Sequence, residues 1–580
     1  MSLKDILGFE ALMARLPGGS RRLLVLTRHF FERLFQNEII PFEDQMKEKL
    51  FTVLAMLAAV GWVLTNTLFS RYMFVEDAGQ SWLEKFAFLG VFMIILALAV
   101  ILEWDVLFPD RRDHLNLRSL PIGPGTLFTA KFLSFLLFVG MFSAAANAFS
   151  VFGVAIFLPR WTGDSLNALL RYMGAHLLST TAAFLFVFLF FLFLEAALLA
   201  FFGPRAFRAV SLAFRLVFSV LCVVAVLAAL VDPYSLQKVL NHVSSLRTTR
   251  PTSVLLFPPM WFTGLYETLI GRRDPLYVAG ANIGLAAILS LGLADFLAMS
   301  FSYRKHIRKS LEVRPVRLPL AGIRAAGGKL FDRLVLRDPV QRAVFHFTGK
   351  TLRTSAAHKV RLAGYLAAAL GFLLLVLGTR KIDLSGPATA NLNILSAPVI
   401  LGFFVLLGFR SGMNIPYEPE ANWIFRLTES KERKHYFIAL KKVVLFFALL
   451  PLFAVLWIAF AWLWGAGTSF LHCVYGFAWA LLAMEGLFWK FARIPFACLV
   501  VPGKAKLQMR WLPYLLGFLV AISLISLGER ALFKDPGRFP IFFAAVAVIL
   551  AALEFDQRRF VYPKLALIYE EEPEPVMITL

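Results

Sequence analysis

The chain has 580 residues, 59% of them hydrophobic and 17% charged, with mean hydropathy +0.72 and a formal net charge of +22. Soluble domains hold about 45–50% apolar and about 25% charged residues, so a soluble globular protein is excluded. The positive charge sits in segments between apolar runs, with no basic domain or RNA-binding motif, so nucleic acid is set aside as a partner.

Residues 1–49 read as an amphipathic N-terminal segment, with no apolar run followed by a small-residue cleavage site. Apolar runs then recur at the length needed to cross a bilayer core of about 30 Å. Twelve are expected as helical spans. The first six lie near Phe51–Leu68, Phe86–Leu102, Phe132–Leu158, Met173–Phe202, Leu212–Val231 and Leu276–Phe301. The second six lie near Leu362–Leu377, Leu392–Phe409, Val443–Leu463, Phe470–Trp489, Trp511–Leu527 and Pro540–Leu553. Ala397 and Pro398 interrupt the eighth run and make it the weakest.

The fold class expected is an all-α polytopic membrane protein, with about twelve transmembrane helices in two pseudo-repeated six-helix halves. The first half covers 50–301 and the second 362–555. A basic linker with an amphipathic segment, 302–361, joins them, and an acidic tail, 556–580, follows. An even number of spans puts both termini on one side. Assigning that side to the cytoplasm places most of the 59 Lys and Arg there, 15 of them in Ser302–Arg361, as the positive-inside rule requires. The tail YEEEPEPVMITL reads as disordered and suited to a basic partner surface.

The halves share polar features. Each opens on a mixed segment, roughly Arg21–Lys49 and Leu330–Arg361. Each is interrupted between its second and third spans, by Glu103–Phe132 and by Arg410–Lys442. Each interruption begins with carboxylates near a proline (Asp110 and Asp113; Glu418 and Glu420). Each continues with a short apolar-basic stretch, LNLRSL or WIFRL, then a turn. The turn residues are PIGPG in the first and TESKERK in the second. Each closes on lysine, at Lys131 and at Lys441–Lys442. A short helix at the membrane surface with a protruding bend is the simplest shape for both. An ordinary topogenic loop carries the same charges, but two matched loops favour a docking surface. Parallel repeats of this kind are a known transporter design.

Three carboxylates fall inside or at the edge of spans: Glu195, Asp295 and Glu485. Such a group costs about 2.5–3.5 kcal/mol on insertion scales, so it needs a partner or a role. Structural ion pairs are the plain expectation, Glu195 with Arg205 or Arg208 and Glu485 with Lys490 or Arg493. Their matched placement also suits a pathway lining. The external loop Asp232–Asp274 holds an apolar, aromatic stretch, FPPMWFTGLYETLIG. Pro258 and Pro259 would turn the chain there, and Trp261 and Tyr266 suit a membrane interface.

Cys222 and Cys473 lie in apolar runs and Cys498 beside a basic loop; none pairs by spacing with a disulfide or metal site. No HExxH and no GxSxG elbow is present, so no catalytic residue and no metal ligand is expected.

The pattern of an acidic pair, LRSLPI, a turn and AK at the next span resembles the cytoplasmic coupling region of type-2 ABC exporter permeases. In that family each half has six spans, the coupling helix lies between the second and third, and short re-entrant helices lie outside between the fifth and sixth. The resemblance implies coupling residues Arg118, Leu120, Pro121, Ile122 and Lys131 in the first loop, and Arg426, Leu427, Lys431 and Lys441 in the second. It implies an external re-entrant segment at Pro258, Pro259, Trp261 and Tyr266, and a connecting helix before each half. It further implies a bacterial inner-membrane exporter with cytoplasmic termini and no cofactor of its own. ATP and Mg would sit on a separate ABC ATPase subunit, a dimer. No G-x-x-x-x-G-K-[ST] occurs, since GGKLF at Gly327 lacks the spacing and the hydroxyl residue. The chain departs from the pattern between its last two spans, where Gly528–Phe539 is too short for a second re-entrant hairpin.

Other classes remain in view. Six-plus-six spans around a basic linker also fit a secondary transporter driven by an ion gradient, although DRRDHLNLR lacks the glycines of the major-facilitator loop. A membrane enzyme would need clustered carboxylates or histidines outside, and these are scattered. The Phe-rich run AAFLFVFLFFLFLE suits contact with membrane lipid or a lipid-like substrate. The resemblance fits both a transporter completed by one chain and one completed by a second permease copy.

Overall fold

The computed structural model describes residues 18–35, 43–73, 81–102, 104, 123–158, 165–231, 233–310, 331–378, 392–414, 422–427, 429, 433–498 and 511–569. These are helical almost throughout, and the only β-type pairing among them is a bridge between Arg493 and Ile568. Ten helices are long and apolar enough to span a bilayer, which makes this an all-α, multi-pass membrane protein. They cover ten of the twelve expected spans. The other two are helices of 23 and 24 residues, Ala356–Gly378 and Trp511–Lys534, in which some side chains lie outside the described set.

The chain forms two compact units, Met1–Phe218 with Ala229–Arg314, and Ser219–Ala228 with Pro315–Leu580. One boundary follows Arg314, and the other two lie inside the fifth expected span, so that Ser219–Ala228 group with the second unit. The first unit opens with α1 (Gly18–Phe35), then α2 (Glu43–Phe69), α3 (Trp82–Leu102) and α4 (Pro124–Phe157). The amphipathic α1 seats Leu26 and Phe30 against Ala130 of α4. Glycines let α2 and α4 touch closely. A methyl on Gly61 would lie 2.5 Å from the Ala146 carbonyl oxygen, and one on Gly153 would lie 2.6 Å from a Thr65 methyl.

Helix α5 runs from Ser165 to Val231 and holds both the fourth and the fifth span. At 1.5 Å per residue, the 27 residues from Phe191 to Phe218 would cover about 40 Å in a straight helix. Their rings are instead 6.2 Å apart, and Phe191 also meets Phe214 at 6.4 Å. The chain therefore doubles back between them, as the two-span reading requires. Gly203 and Pro204 lie in the returning stretch, where proline removes a ladder hydrogen bond.

Helix α6 (Pro233–Thr249), a 3₁₀ turn (Pro251–Leu256) and α7 (Pro258–Leu269) lead into α8 (Pro275–Ser310). Pro258 and Pro259 open α7, where a missing N–H costs nothing. The twelve-residue α7 lies between α3 and the start of α8. Gly264 makes that contact possible, because a methyl there would lie 2.4 Å from the Tyr277 carbonyl oxygen; Gly280 and Gly284 meet Met260 and Trp261 in the same way.

In the second unit α9 (Pro339–Thr354) is capped by Asp338, whose carboxylate accepts from the Val340 and Gln341 N–H groups. Helix α10 (Ala356–Gly378) follows, then α11 (Ala397–Met413). Pro398 lies in the first turn of α11, so the doubtful eighth run becomes a helix preceded by one separate turn, Leu392–Leu395. Next come α12 (Asn422–Leu427) and α13 (Lys434–Val444). A π turn at Leu445–Leu449 joins α13 to α14 (Leu450–Trp464) as one 31-residue span. The wider turn precedes Pro451, which has no N–H for the regular ladder. Gly465, at φ +79°, turns the chain into α15 (Ala466–Phe488). Helices α16 (Trp511–Lys534) and α17 (Phe539–Asp556) are joined by a single turn, Pro536–Arg538, with no re-entrant hairpin.

A methyl at residue 264 would press on the backbone of α8. We expect Gly264→Ala to cost about 1–3 kcal/mol, and Gly125→Ala, which meets nothing within 4 Å, to leave stability unchanged. Thermal unfolding in detergent checks the difference.

Candidate functional site

The second polar interruption is described through Asn422–Leu427, Glu429 and the start of α13. WIFRL forms the short helix α12. Phe425 is its anchor, buried with its ring 5.1 Å from Phe347 of α9. Its carbonyl accepts from the Tyr569 hydroxyl, which also donates to Glu429 at 2.8 Å. Burial and the Glu429 carboxylate push the Tyr569 phenol up. Arg426 lies over the Tyr569 ring at 5.5 Å. The other apolar residues point away. Trp423 is 62% exposed, Ile424 46% and Leu427 78%. Phe425 and Tyr569 thus fix a helix that presents three apolar side chains outward.

Behind this helix, α9 packs on α13. Lys442 donates to Gln341 and to the Val335 carbonyl, both at 2.6 Å, and Gln341 meets His435 at 3.0 Å. The first unit repeats the arrangement with α1 on α4. In both units the amphipathic helix before the first span lies on the start of the third. Of the first interruption, Arg118, Leu120, Pro121 and Ile122 lie outside the described residues, as does Lys431 of the second.

Two lysines expected on the docking loops are inside the protein. Lys131 is buried on α4, its ammonium 5.8 Å from the Phe30 and Phe135 rings. Lys441 is buried on α13 and donates to Glu485 at 2.7 Å, to Glu554 at 2.8 Å and to Gln557. Gln557 donates to Glu485 in turn, and the Tyr562 hydroxyl donates to Gln557. A π turn at Gln557–Val561 carries Gln557 into this cluster. Glu485 therefore pairs across helices with Lys441, not with Lys490 or Arg493 as expected. The later lysine and arginine are near in sequence, but Lys441 stands on the facing helix at the same depth.

Glu195 is buried on α5; the side chains of Arg205 and Arg208 lie outside the described residues. Asp295 is buried on α8, and neither of its oxygens has a hydrogen-bond partner among the described residues.

The segment expected outside is α7. Trp261 donates to the Leu255 carbonyl at 2.6 Å and packs edge-on against Phe186. Tyr266 is buried, not an interface anchor, because it closes a charge cluster. Lys85, at the start of α3, donates to Glu267 of α7 at 2.7 Å, with both side chains essentially inaccessible. Arg272 holds the other Glu267 oxygen at 3.1 Å. The Lys85 ammonium also lies 4.6 Å from the Tyr266 ring and 5.6 Å from Tyr172. Neither Lys85 nor Glu267 was singled out in the sequence. The signal was there: WLEKFAFLG sets a lysine at the start of an apolar run, and FTGLYETLIG sets a glutamate inside one.

No family model, curated protein or solved structure matches the chain.

Removing one partner of a buried ion pair costs about 3–5 kcal/mol when the other charge is left uncompensated. Arg272 still faces Glu267 when Lys85 is gone, so we expect Lys85→Met to destabilise the protein by less than that, and the double variant Lys85→Met/Glu267→Gln to recover part of the loss. Chemical denaturation of the three proteins in detergent measures the coupling.

Proposed function

We propose that the chain is the membrane-spanning permease subunit of an ATP-driven, ABC-type transporter in the bacterial inner membrane. ATP and Mg are handled by a separate soluble ATPase, a dimer, and this chain exports or relocates the substrate. Both termini face the cytoplasm.

One observation carries the reading. Helix α12 is held from behind by Phe425 and offers Trp423, Ile424 and Leu427 outward. Exposed apolar residues cost nothing inside a bilayer. On a polar loop flanked by Glu429, Arg433 and Lys434 they fit a protein partner. The matched α1–α4 and α9–α13 junctions support two such seats, one per six-span half. The twelve spans and the duplicated layout belong to this reading, as does an outer gate made by α7 in one half only.

A second reading draws on Asp295. A buried carboxylate with no hydrogen-bond partner among the described residues suits a proton carrier, and so a secondary transporter driven by an ion gradient.

The two separate by purification. In mild detergent, the wild-type protein is expected to bring down a soluble subunit with a Walker motif and ATPase activity. Replacing Trp423, Ile424 and Leu427 by Ser is expected to reduce its recovery at least tenfold while leaving the membrane chain folded. An absent ATPase, or recovery unchanged by the triple substitution, would overturn the ABC reading and leave the gradient-driven carrier.

A further inference from the structure

Helices α15 and α16 run antiparallel and meet at a buried acid–base pair. His472 Nδ1 lies 2.6 Å from Glu529 Oε1, and the two side chains are 0% and 1% exposed. Phe460 and Trp464 press on the imidazole, with ring centroids 4.6 and 5.4 Å away. Ser469 stands one turn from His472 on the same face of α15. Ser526 stands one turn from Glu529 on the same face of α16. Both are buried. The seam continues through Tyr475, whose hydroxyl donates to the Ile525 carbonyl at 2.9 Å.

Two buried polar atoms on one turn of α15, His472 Nε2 and Ser469 Oγ, have no partner among the described residues; Ser526 Oγ, also unmatched there, lies on the other side of the pair near the level of Tyr475. Protein interiors rarely leave such atoms unmatched, and two on one turn mark a place for a hydrogen-bonding ligand. The charge balance says which. With Nδ1–H donated to an ionised Glu529, the pair carries one negative charge and Nε2 has a bare lone pair. One added proton at Nε2 brings the pair to net zero. It also creates an N–H that needs an acceptor, which a water held by the Ser469 hydroxyl supplies. A low-dielectric site favours the neutral pair.

The groups able to compete are few. On α15, Cys473 and Tyr475 lie within electrostatic reach of Glu529. On α16, Arg530 follows Glu529, and Lys534, Asp535 and Arg538 lie beyond it in and after the last turn. Helix α14 offers Phe460 and Trp464, and α17 offers Phe542 against Tyr475.

We propose that His472 and Glu529 form an intramembrane binding site for one proton, with a water held by Ser469, one turn away on the same helix, accepting from the protonated imidazole. The site gives the chain a means of coupling proton movement to transport. It stands on the α15–α16 geometry alone, whichever soluble partner the protein has.

The test follows the imidazole directly. Full-length protein labelled with ¹⁵N-histidine is placed in lipid nanodiscs, and His472 is assigned by difference from His472→Gln. As pH is raised over the range in which the protein stays folded, the His472 ring is expected to pass from doubly protonated to singly protonated, releasing one proton. In Glu529→Gln that transition is lost, while the other eight histidines are unchanged. A His472 ring in one protonation state throughout, or a transition untouched by Glu529→Gln, would overturn the proposal. Should Glu529→Gln fail to fold, Glu529→Asp replaces it, and the wild-type titration alone still decides.

Discussion

A charge carried into a hydrocarbon environment must bring its partner with it. Much of this structure is arranged around that constraint. Lys85 enters the bilayer end of α3 only because Glu267 comes down on α7 to meet it, and Arg272 and Tyr266 complete the enclosure. Lys441 stands inside the second unit because Glu485, Glu554 and Gln557 converge on it from α15 and the end of α17. His472 and Glu529 obey the same rule with a weaker base. Each cluster ties helix ends that must lie at one membrane surface. The apolar contacts then fill the space between, and the glycines at 61, 153 and 264 set how near the backbones come.

These pins also separate rigid parts from presented ones. In the first unit the pinned element is α7, a helix too short to span, closed over the ends of α3 and α8. In the second unit the pinned set includes α13, the start of the third span of that half. Its neighbour α12 is held by Phe425 and Tyr569 and offers three apolar side chains outward. A transporter needs both kinds of element: fixed helix ends that keep the bundle closed, and a surface through which a soluble motor can move it. The proposed ATPase seat and the proposed proton site lie in different elements and make separable demands on the chain.

The spans were legible because apolar runs of the right length have few alternatives in a chain this hydrophobic. The break between the fourth and fifth spans and the interruption at Pro398 were legible from proline, glycine and length; the connection expected over Gly528–Phe539 is shorter, because the helix runs on to Lys534. The clusters were not. Glu485 stood out, but its partner Lys441 is 44 residues away on another helix, and sequence proximity suggested Lys490 or Arg493 instead. Lys85 and Glu267 are 182 residues apart, and each alone passed for a charge near a membrane surface. Side-chain depth was equally hidden. Lys131 and Lys441 close the polar loops in the sequence, yet their positions on the inner faces of α4 and α13 bury them. The exposed members, Arg426 and Leu427, follow them in no simple pattern, because Phe425, with Tyr569, decides which side of α12 faces in.

The central claim is that two matched halves present their second-to-third-span junctions to one compartment, the cytoplasm. Cysteine accessibility tests it most directly. The native cysteines, Cys222, Cys473 and Cys498, are all buried, so the background is low. Single cysteines at Gly125 and Leu427, one per junction, and at Thr249 and Gly467 at the opposite ends would be labelled with an impermeant maleimide in oriented membrane vesicles. The account predicts that Gly125→Cys and Leu427→Cys react only from the cytoplasmic side, and Thr249→Cys and Gly467→Cys only from the other. Reaction of Gly125→Cys and Leu427→Cys from opposite sides would contradict it.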